Sequence, residues 1–354
     1  MDETTKNAHA TTAIAADAPD ASGALLRVDN LTVSFAGQKK TMVPAIEGVS
    51  YEVAPGEILG IVGESGCGKS VTAFSILRLH DERTTRYDGH VEVNGHDVFS
   101  MSQHELHALR GGDVGFIFQN PMSSLNPLMT IGQQMRETVT AHGSGLSKAH
   151  IREQCLHALR DAGADEPEEW MGKYPYQMSG GQLQRAVIGM ALVNGPKLLV
   201  ADEPTTALDV TIQMQLLRVL MRLRDEQGMS IVLITHDMGV VAQVCDRVAV
   251  MYLGEIVESA SVDELFAHPR HPYTRGLLEA TPPLEGPHPE RLSTIPGSVP
   301  RLAEVGPGCR FASRCPFVAE ECKVAPIALQ KVGDHHQARC IRLEHVSEFR
   351  KVIA

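Results

Sequence analysis

Gly63-Glu64-Ser65-Gly66-Cys67-Gly68-Lys69-Ser70 fits G-x-x-x-x-G-K-S and lies between an apolar run, 57–62, and a helix-like stretch, 71–79. A strand, a glycine-rich turn and a helix in that order form a phosphate loop. Glycines let backbone N–H groups close around phosphates, Lys69 adds a point charge, Ser70 offers an oxygen to Mg²⁺, and the helix N-terminus favours anions. An ordinary glycine turn needs neither the lysine nor the hydroxyl at these offsets. The stretch predicts a nucleoside triphosphate site held by Gly63, Glu64, Ser65, Gly66, Cys67, Gly68, Lys69 and Ser70.

Working outward, strand-like runs fall at 25–35, 58–62, 114–119, 198–202, 230–235 and 247–252, with helix-like segments between most of them. Such alternation predicts an α/β fold with parallel strands and its site at their C-terminal ends. A chain of 354 residues exceeds the roughly 250–300 residues at which single cores stop growing, so a main domain with an appendage is expected. Residues 1–24, rich in Ala, Thr and Asp, read as a flexible tail without the basic and apolar regions of a signal peptide, and the chain is expected to stay in the cytosol. No stretch approaches the ~20 apolar residues that span a bilayer. The net charge of -11 argues against the broad basic surface that nucleic acid requires.

Leu198-Leu199-Val200-Ala201-Asp202-Glu203 is an apolar run ending in two carboxylates, and it resembles a Walker B strand. Alone, such a pair is more often a helix cap or a solvated turn. Beside a phosphate loop it suits metal-assisted hydrolysis, with Asp202 ordering Mg²⁺ and Glu203 polarising the attacking water. Between the two elements, Met178-Ser179-Gly180-Gly181-Gln182-Leu183-Gln184-Arg185 opens a helix pattern with Ser and Gly, which makes another helix start suited to an anion.

These elements closely resemble the ATP-binding cassette ATPases, whose signature is Leu-Ser-Gly-Gly-Gln. Met178 replaces the usual leucine, a swap that conserves volume. The resemblance extends to Gln119 after its strand, to Pro204-Thr205-Thr206-Ala207-Leu208-Asp209, and to His236, which follows Glu203 by 33 residues at the end of the next strand. It implies that Gln119 is the Q-loop residue near Mg²⁺, that Asp209 belongs to the D-loop, and that His236 senses the γ-phosphate. It further implies that Phe35 stacks on adenine, although a Phe there equally suits a core. The family sandwiches ATP between the loop of one cassette and the signature of another. Ser179, Gly180, Gly181 and Gln182 would therefore act on a partner's ATP, and a second cassette is implied.

The stretch Phe116-Ile117-Phe118-Gln119-Asn120-Pro121-Met122-Ser123-Ser124-Leu125-Asn126-Pro127, the motif His271-Pro272-Tyr273-Thr274 and a cysteine-bearing tail together resemble the ATPase subunits of oligopeptide and dipeptide importers. The resemblance covers roughly 25–345. It implies a peripheral ATPase on the cytoplasmic face of the inner membrane, paired with a second cassette, two permeases and a soluble binding protein. Peptides are the implied cargo, with nickel or another small solute as the alternative. A soluble cassette acting in repair or translation is disfavoured, because neither a coiled-coil insertion nor a second cassette is present. A metal-binding regulator is disfavoured because every hydrolytic element is intact.

The expected organisation is a tail over 1–24, an ATPase domain over 25–260 with a mixed sheet core and a helical signature subdomain near 120–190, and a C-terminal extension over 261–354. Prolines 269, 272, 282, 283, 287 and 289 suggest a loop-rich connection, and 295–300 reads as a fixed turn without an assigned role. Four of the seven cysteines, Cys309, Cys315, Cys322 and Cys340, are spaced C-x5-C-x6-C-x17-C. In a reduced compartment they suit an iron–sulfur cluster or zinc better than disulfides, and four unligated thiols are the plain alternative. The family resemblance favours [4Fe-4S]. Cys155 and Cys245 read as small apolar fillers. Cys67, beside a helix N-terminus, is expected to have a lowered thiol pKa and to make the ATPase sensitive to thiol reagents.

Overall fold

The computed structural model describes residues 23–37, 41–143, 145–206, 208–281 and 294–346. Most of the expected tail, residues 1–22, lies outside the described residues, as do Ala207 and Pro282, Pro283, Pro287 and Pro289 of the expected connection.

The centre of the main sheet is built from strands that are mostly apolar. Five run parallel: β3 (Ile58–Val62), β6 (Val114–Ile117), β7 (Leu198–Asp202), β8 (Ser230–Thr235) and β9 (Arg247–Tyr252). Every residue of β3, β7 and β8 is buried, as strands covered on both faces must be. The chain then turns back as β10 (Glu255–Ser261), antiparallel to β9, and β12 (His336–Ala338) and β11 (Gln330–Gly333) extend the same edge. The sheet therefore continues across residue 260, with strands of the C-terminal extension completing it.

A second sheet is antiparallel throughout and pairs β2 (Met42–Val53), β1 (Leu26–Ala36), β4 (Thr85–Val93) and β5 (His96–Asp97) in that order. The space between the sheets holds Val28, Val33, Ile61, Ile76, Val91 and Val200. The expected mixed sheet core is present, its parallel strands joined by the antiparallel β10, and the second sheet adds antiparallel strands beside the parallel layer that the alternation predicts. Strands β2 and β4 carry exposed or half-buried positions and polar residues, so they lack the continuous apolar run that marks a doubly covered strand.

Helix α1 (Lys69–Ile76) starts inside the expected loop and ends at Leu77, where Arg78 adopts φ 48° and stops propagation short of the predicted residue 79. Helix α2 (Gln103–Leu109) follows the small sheet. The helical layer comprises α3 (Pro121–Ser124), α4 (Ile131–His142), α5 (Lys148–Asp161), α6 (Pro167–Trp170) and α7 (Gly180–Leu192). It packs around Trp170, Met135, Leu159 and Ile188, and one core continues from there to the sheet at Leu199 and Leu233. Next come α8 (Val210–Gln227), ended by left-handed Gly228, and α9 (Met238–Val244).

The extension contributes α10 (Val262–Ala267), α11 (Pro272–Ala280) and α12 (Glu321–Val324). A third core joins it to the cassette through Tyr252, Leu265, Phe266, Tyr273 and Phe311, with Cys309 and Cys315 packed against it. Phe311 is 2% exposed, a burial that favours the folded state by about 2–3 kcal/mol.

Candidate nucleotide-binding site

Sheet register assembles the site. Val62 stands opposite Thr235, Ile234 opposite Asp202, and Ala201 opposite Ile117. The residues that follow, Gly63, His236, Glu203 and Gln119, therefore emerge at one end of the sheet. There a cavity of about 600 Å³ is lined by Ser65, Gly66, Gly68, Lys69 and Ser70 of the loop, by Gln119 and Glu203, by Pro44 and Ala45, and by residues 299–302 of the extension.

Two glycines are obligatory for the loop. A Cβ on Gly63 would stand 2.2 Å from the Met251 carbonyl oxygen, and one on Gly68, at φ +107°, would stand 2.5 Å from Ile46 Cγ2. The buried Lys69 Nζ donates to the carbonyls of Gly63 at 2.7 Å and Glu64 at 3.2 Å, and lies 4.0 Å from Glu203 Oε1. Ser70 Oγ donates to Asp202 Oδ1 at 3.1 Å. Burial raises the Asp202 pKa, opposed by the Ser70 hydrogen bond. A hydroxyl beside a buried carboxylate is a hard-oxygen pair, and it fits Mg²⁺, which takes one or two carboxylates and completes its octahedron with phosphate oxygens and water.

Glu203 is the convergence point. Its backbone sits in the left-handed region at φ 48°, an uncommon conformation for a non-glycine residue that surrounding bonds must sustain. Its N–H donates to Ile234 O at 2.9 Å. Gln119 Nε2 and Thr206 Oγ1 both donate to Oε2, at 3.0 and 2.9 Å, and His236 Nδ1 lies 3.5 Å from the same oxygen. Oε1 is left on the side of Lys69.

The signature residues take a different place. Ser179 caps α7, its Oγ accepting from Gln182 N–H at 3.4 Å while Gln182 Oε1 accepts from Ser179 N–H at 3.1 Å. Space beside Gly180 is open, whereas Gly181 is closed in by Ile212. None of Ser179, Gly180, Gly181 and Gln182 lines the cavity of this chain. Asp209 caps α8 by accepting from Ile212 N–H at 2.9 Å. The Phe35 ring meets His80 edge-on at 5.0 Å and packs on the core between the sheets, and it too is outside the described lining.

The expected lowered pKa at Cys67 is corrected. The thiol is 1% exposed, and burial raises its pKa against the lowering influence of Lys69 and backbone N–H groups. Desolvation outweighs the helix terminus here.

The four C-terminal cysteines share one neighbourhood. Cys309 N–H donates to Cys322 O at 2.7 Å, and burial first, then mutual repulsion, raises the thiol pKa of Cys309 to about 11 and of Cys340 to about 12. Among the described residues, however, no three His, Cys, Asp or Glu side chains gather closely enough to hold a metal ion.

Sequence reasoning missed the extension's part in this site. His271, fully buried, caps α11 by accepting Tyr273 N–H on Nδ1 at 3.1 Å, and Tyr273 Oη accepts the Glu64 N–H at 2.8 Å. The His-Pro-Tyr-Thr motif carried that signal, since His before Pro at a helix start is a capping pattern. Nothing local marks residues 299–302 as cavity wall.

The loop, the acidic strand end and the capped signature helix define a nucleotide-hydrolysing cassette. The ABC transporter family model matches residues 46–206, and the model for the oligopeptide/dipeptide transporter C-terminal region matches 257–322. A probable peptide ABC transporter ATP-binding protein of Sinorhizobium fredii, y4tR, is 47% identical over 91% of this chain and 96% of its own length. Among solved structures, a dimeric post-hydrolysis state of the ATP-binding cassette MJ0796 bound to ADP and Pi matches with TM-score 0.60 at 28% identity, over 67% of this chain and 98% of that one. The cbiO1 subunit from Clostridium perfringens, part of an ABC transporter complex, matches with TM-score 0.59 at 25% identity, over 69% and 91%. This chain belongs to the ABC transporter family, among the ATP-binding proteins of peptide transporters.

Proposed function

We propose that this chain binds and hydrolyses ATP to energise import of di- or oligopeptides. The observation that carries the catalytic part is the convergence of Lys69, Gln119, Thr206 and His236 on Glu203 beside a cavity of about 600 Å³. The peptide cargo is supported by the names of the relatives and by the match over 257–322.

Lys69 and the loop N–H groups would hold the phosphates, and Ser70 and Asp202, with Gln119 nearby, would hold Mg²⁺, which would supply positive charge to offset that developing on the transferred phosphoryl group. Glu203 Oε2 is engaged by Gln119 and Thr206, so Oε1 is the oxygen that accepts the proton of the attacking water. His236, its side chain 61% exposed, stands at the rim as the γ-phosphate contact. In this reading Phe35 contributes to the adenine side.

Completion requires a second cassette whose Ser179, Gly180, Gly181 and Gln182 equivalents close over the phosphates, because the chain's own signature stands outside its cavity. Val210, 77% exposed beside Asp209, suits such a face. Phe118, Met122 and Leu128, exposed around the Gln119 loop, suit contact with two permeases fed by a soluble binding protein. No helix among the described residues is long and apolar enough to cross a membrane, consistent with a peripheral subunit at the cytoplasmic face of the inner membrane.

The thiols Cys309, Cys315, Cys322 and Cys340 remain a [4Fe-4S] or zinc reading supported by their number and the family resemblance alone; iron and zinc content of the purified chain decides it. The function itself is tested by uptake of labelled dipeptides, longer peptides and nickel in cells carrying this chain or Lys69→Ala. Loss of peptide uptake alone supports the proposal. Loss of nickel uptake with peptide uptake intact replaces peptide by metal as the cargo, and no change in either removes the transport role.

A further inference from the structure

Glu64 is gripped from two sides by the extension. Besides the bond from its N–H to Tyr273, its carboxylate receives a two-point bond from Arg314, Nη1 to Oε2 at 2.6 Å and Nη2 to Oε1 at 3.1 Å. The Arg314 side chain is 4% exposed, and its other donors are used as well. Nε donates to Pro296 O at 3.0 Å and Nη2 reaches Ile295 O at 3.4 Å. The guanidinium lies over the rings of Tyr252 and Phe311, 5.9 Å from each centroid. A planar fork meeting a carboxylate while resting on aromatic faces is a geometry that arginine provides and lysine does not.

The placement answers an electrostatic problem. Glu64 puts a negative charge into a loop that must receive a polyphosphate, and like charges repel strongly in a partly buried cleft. The same guanidinium fixes the carbonyls of 295 and 296, which lead directly into the cavity wall at 299–302. Arg310 ties the extension down a second time, pairing with Glu47 and donating to the Leu253 carbonyl.

We propose that Arg314 is a positioning residue for nucleotide binding: it neutralises Glu64 and holds the phosphate loop and the 295–302 wall as one piece. Affinity for nucleotide then depends on the C-terminal extension. The inference rests on the reading of the cavity as an ATP site.

The test is MgATP binding to the full-length chain by calorimetry, with thermal unfolding as a check on folding. Binding by the wild type and its loss in Lys69→Ala support the ATP reading; absence of binding by the wild type overturns that reading and this inference together. Given wild-type binding, Arg314→Met weakens affinity about tenfold. Arg314→Lys weakens it less, since it restores charge without the fork. The double variant Arg314→Met with Glu64→Gln regains most of the loss, because the uncompensated carboxylate is gone, whereas a purely structural role predicts no recovery. An Arg314→Met affinity within about twofold of the wild type, or a double variant no better than the single, overturns the inference. Should Arg314→Met not fold, Arg314→Lys compared with Arg314→Lys plus Glu64→Gln decides it: a loss in the first that the second recovers sustains the inference, and wild-type affinity in the first, or a loss that the second does not recover, overturns it.

Discussion

The Gln119 side-chain amide donates to Glu203 Oε2 at 3.0 Å, joining the segment after β6 to the end of β7. With Thr206 on the same oxygen, the carboxylate is oriented before substrate arrives. Glu203→Gln removes the proposed proton acceptor and keeps the shape. ATP turnover is expected to fall by roughly 10²–10⁴-fold while nucleotide still binds, as measured by phosphate release alongside equilibrium binding. Normal turnover would reject Glu203 as the base.

The two kinds of loop glycine separate cleanly. Gly63→Ala drives a Cβ to 2.2 Å from backbone at Met251, whereas Gly66, at φ +81°, faces open space. The first is expected to cost about 3 kcal/mol or more, and the second about 1–2 kcal/mol from backbone conformation alone. Denaturant unfolding of both variants gives the ordering, and equal costs would contradict the close approach to Met251.

Cys67 should resist alkylation. Its burial and raised pKa leave little reachable thiolate, so maleimide treatment of the folded chain near neutral pH is expected to leave Cys67 unlabelled by peptide mass analysis. Rapid labelling there, ahead of the other cysteines, would show that the loop opens.

Burial, reinforced by Arg339, lowers the His271 pKa from 6.5 to about 3. Below pH 6.5 the unfolded chain takes up a proton that the folded chain refuses. The unfolded state binds more protons in that window, so stability is full above 6.5 and falls with acidification toward 3, by about 1.4 kcal/mol per pH unit. His271→Asn keeps an acceptor for the helix cap and does not titrate. Its unfolding free energy should depend less on pH between 4.5 and 6 than that of the wild type; identical slopes would refute the buried neutral histidine.

Legibility followed burial. The stretches 58–62, 198–202, 230–235 and 247–252 are readable to the residue because strands covered on both faces carry a nearly continuous apolar run. Strands β2, β4 and β10 escaped because half-exposed positions break the run, and β11 and β12 because four and three residues carry no period. In the site, spacing pointed to Lys69, Ser70, Asp202 and Glu203, which the fold brings side by side. It could not reveal Arg314, whose partner lies 250 positions earlier, nor the burial that reverses the expectation for Cys67.

The pairing of β12 with β10 also governs how the chain is made. Among the described residues, the outer side of β10 is paired with residues 336–338, the first of which leaves the ribosome 75 residues after Ser261. At about 5–20 residues per second, β10 waits roughly 4–15 s for its partner. During that interval the nascent chain offers a bare strand edge to its neighbours on the polysome. A stop codon shortly before residue 336 would make that vulnerable intermediate permanent.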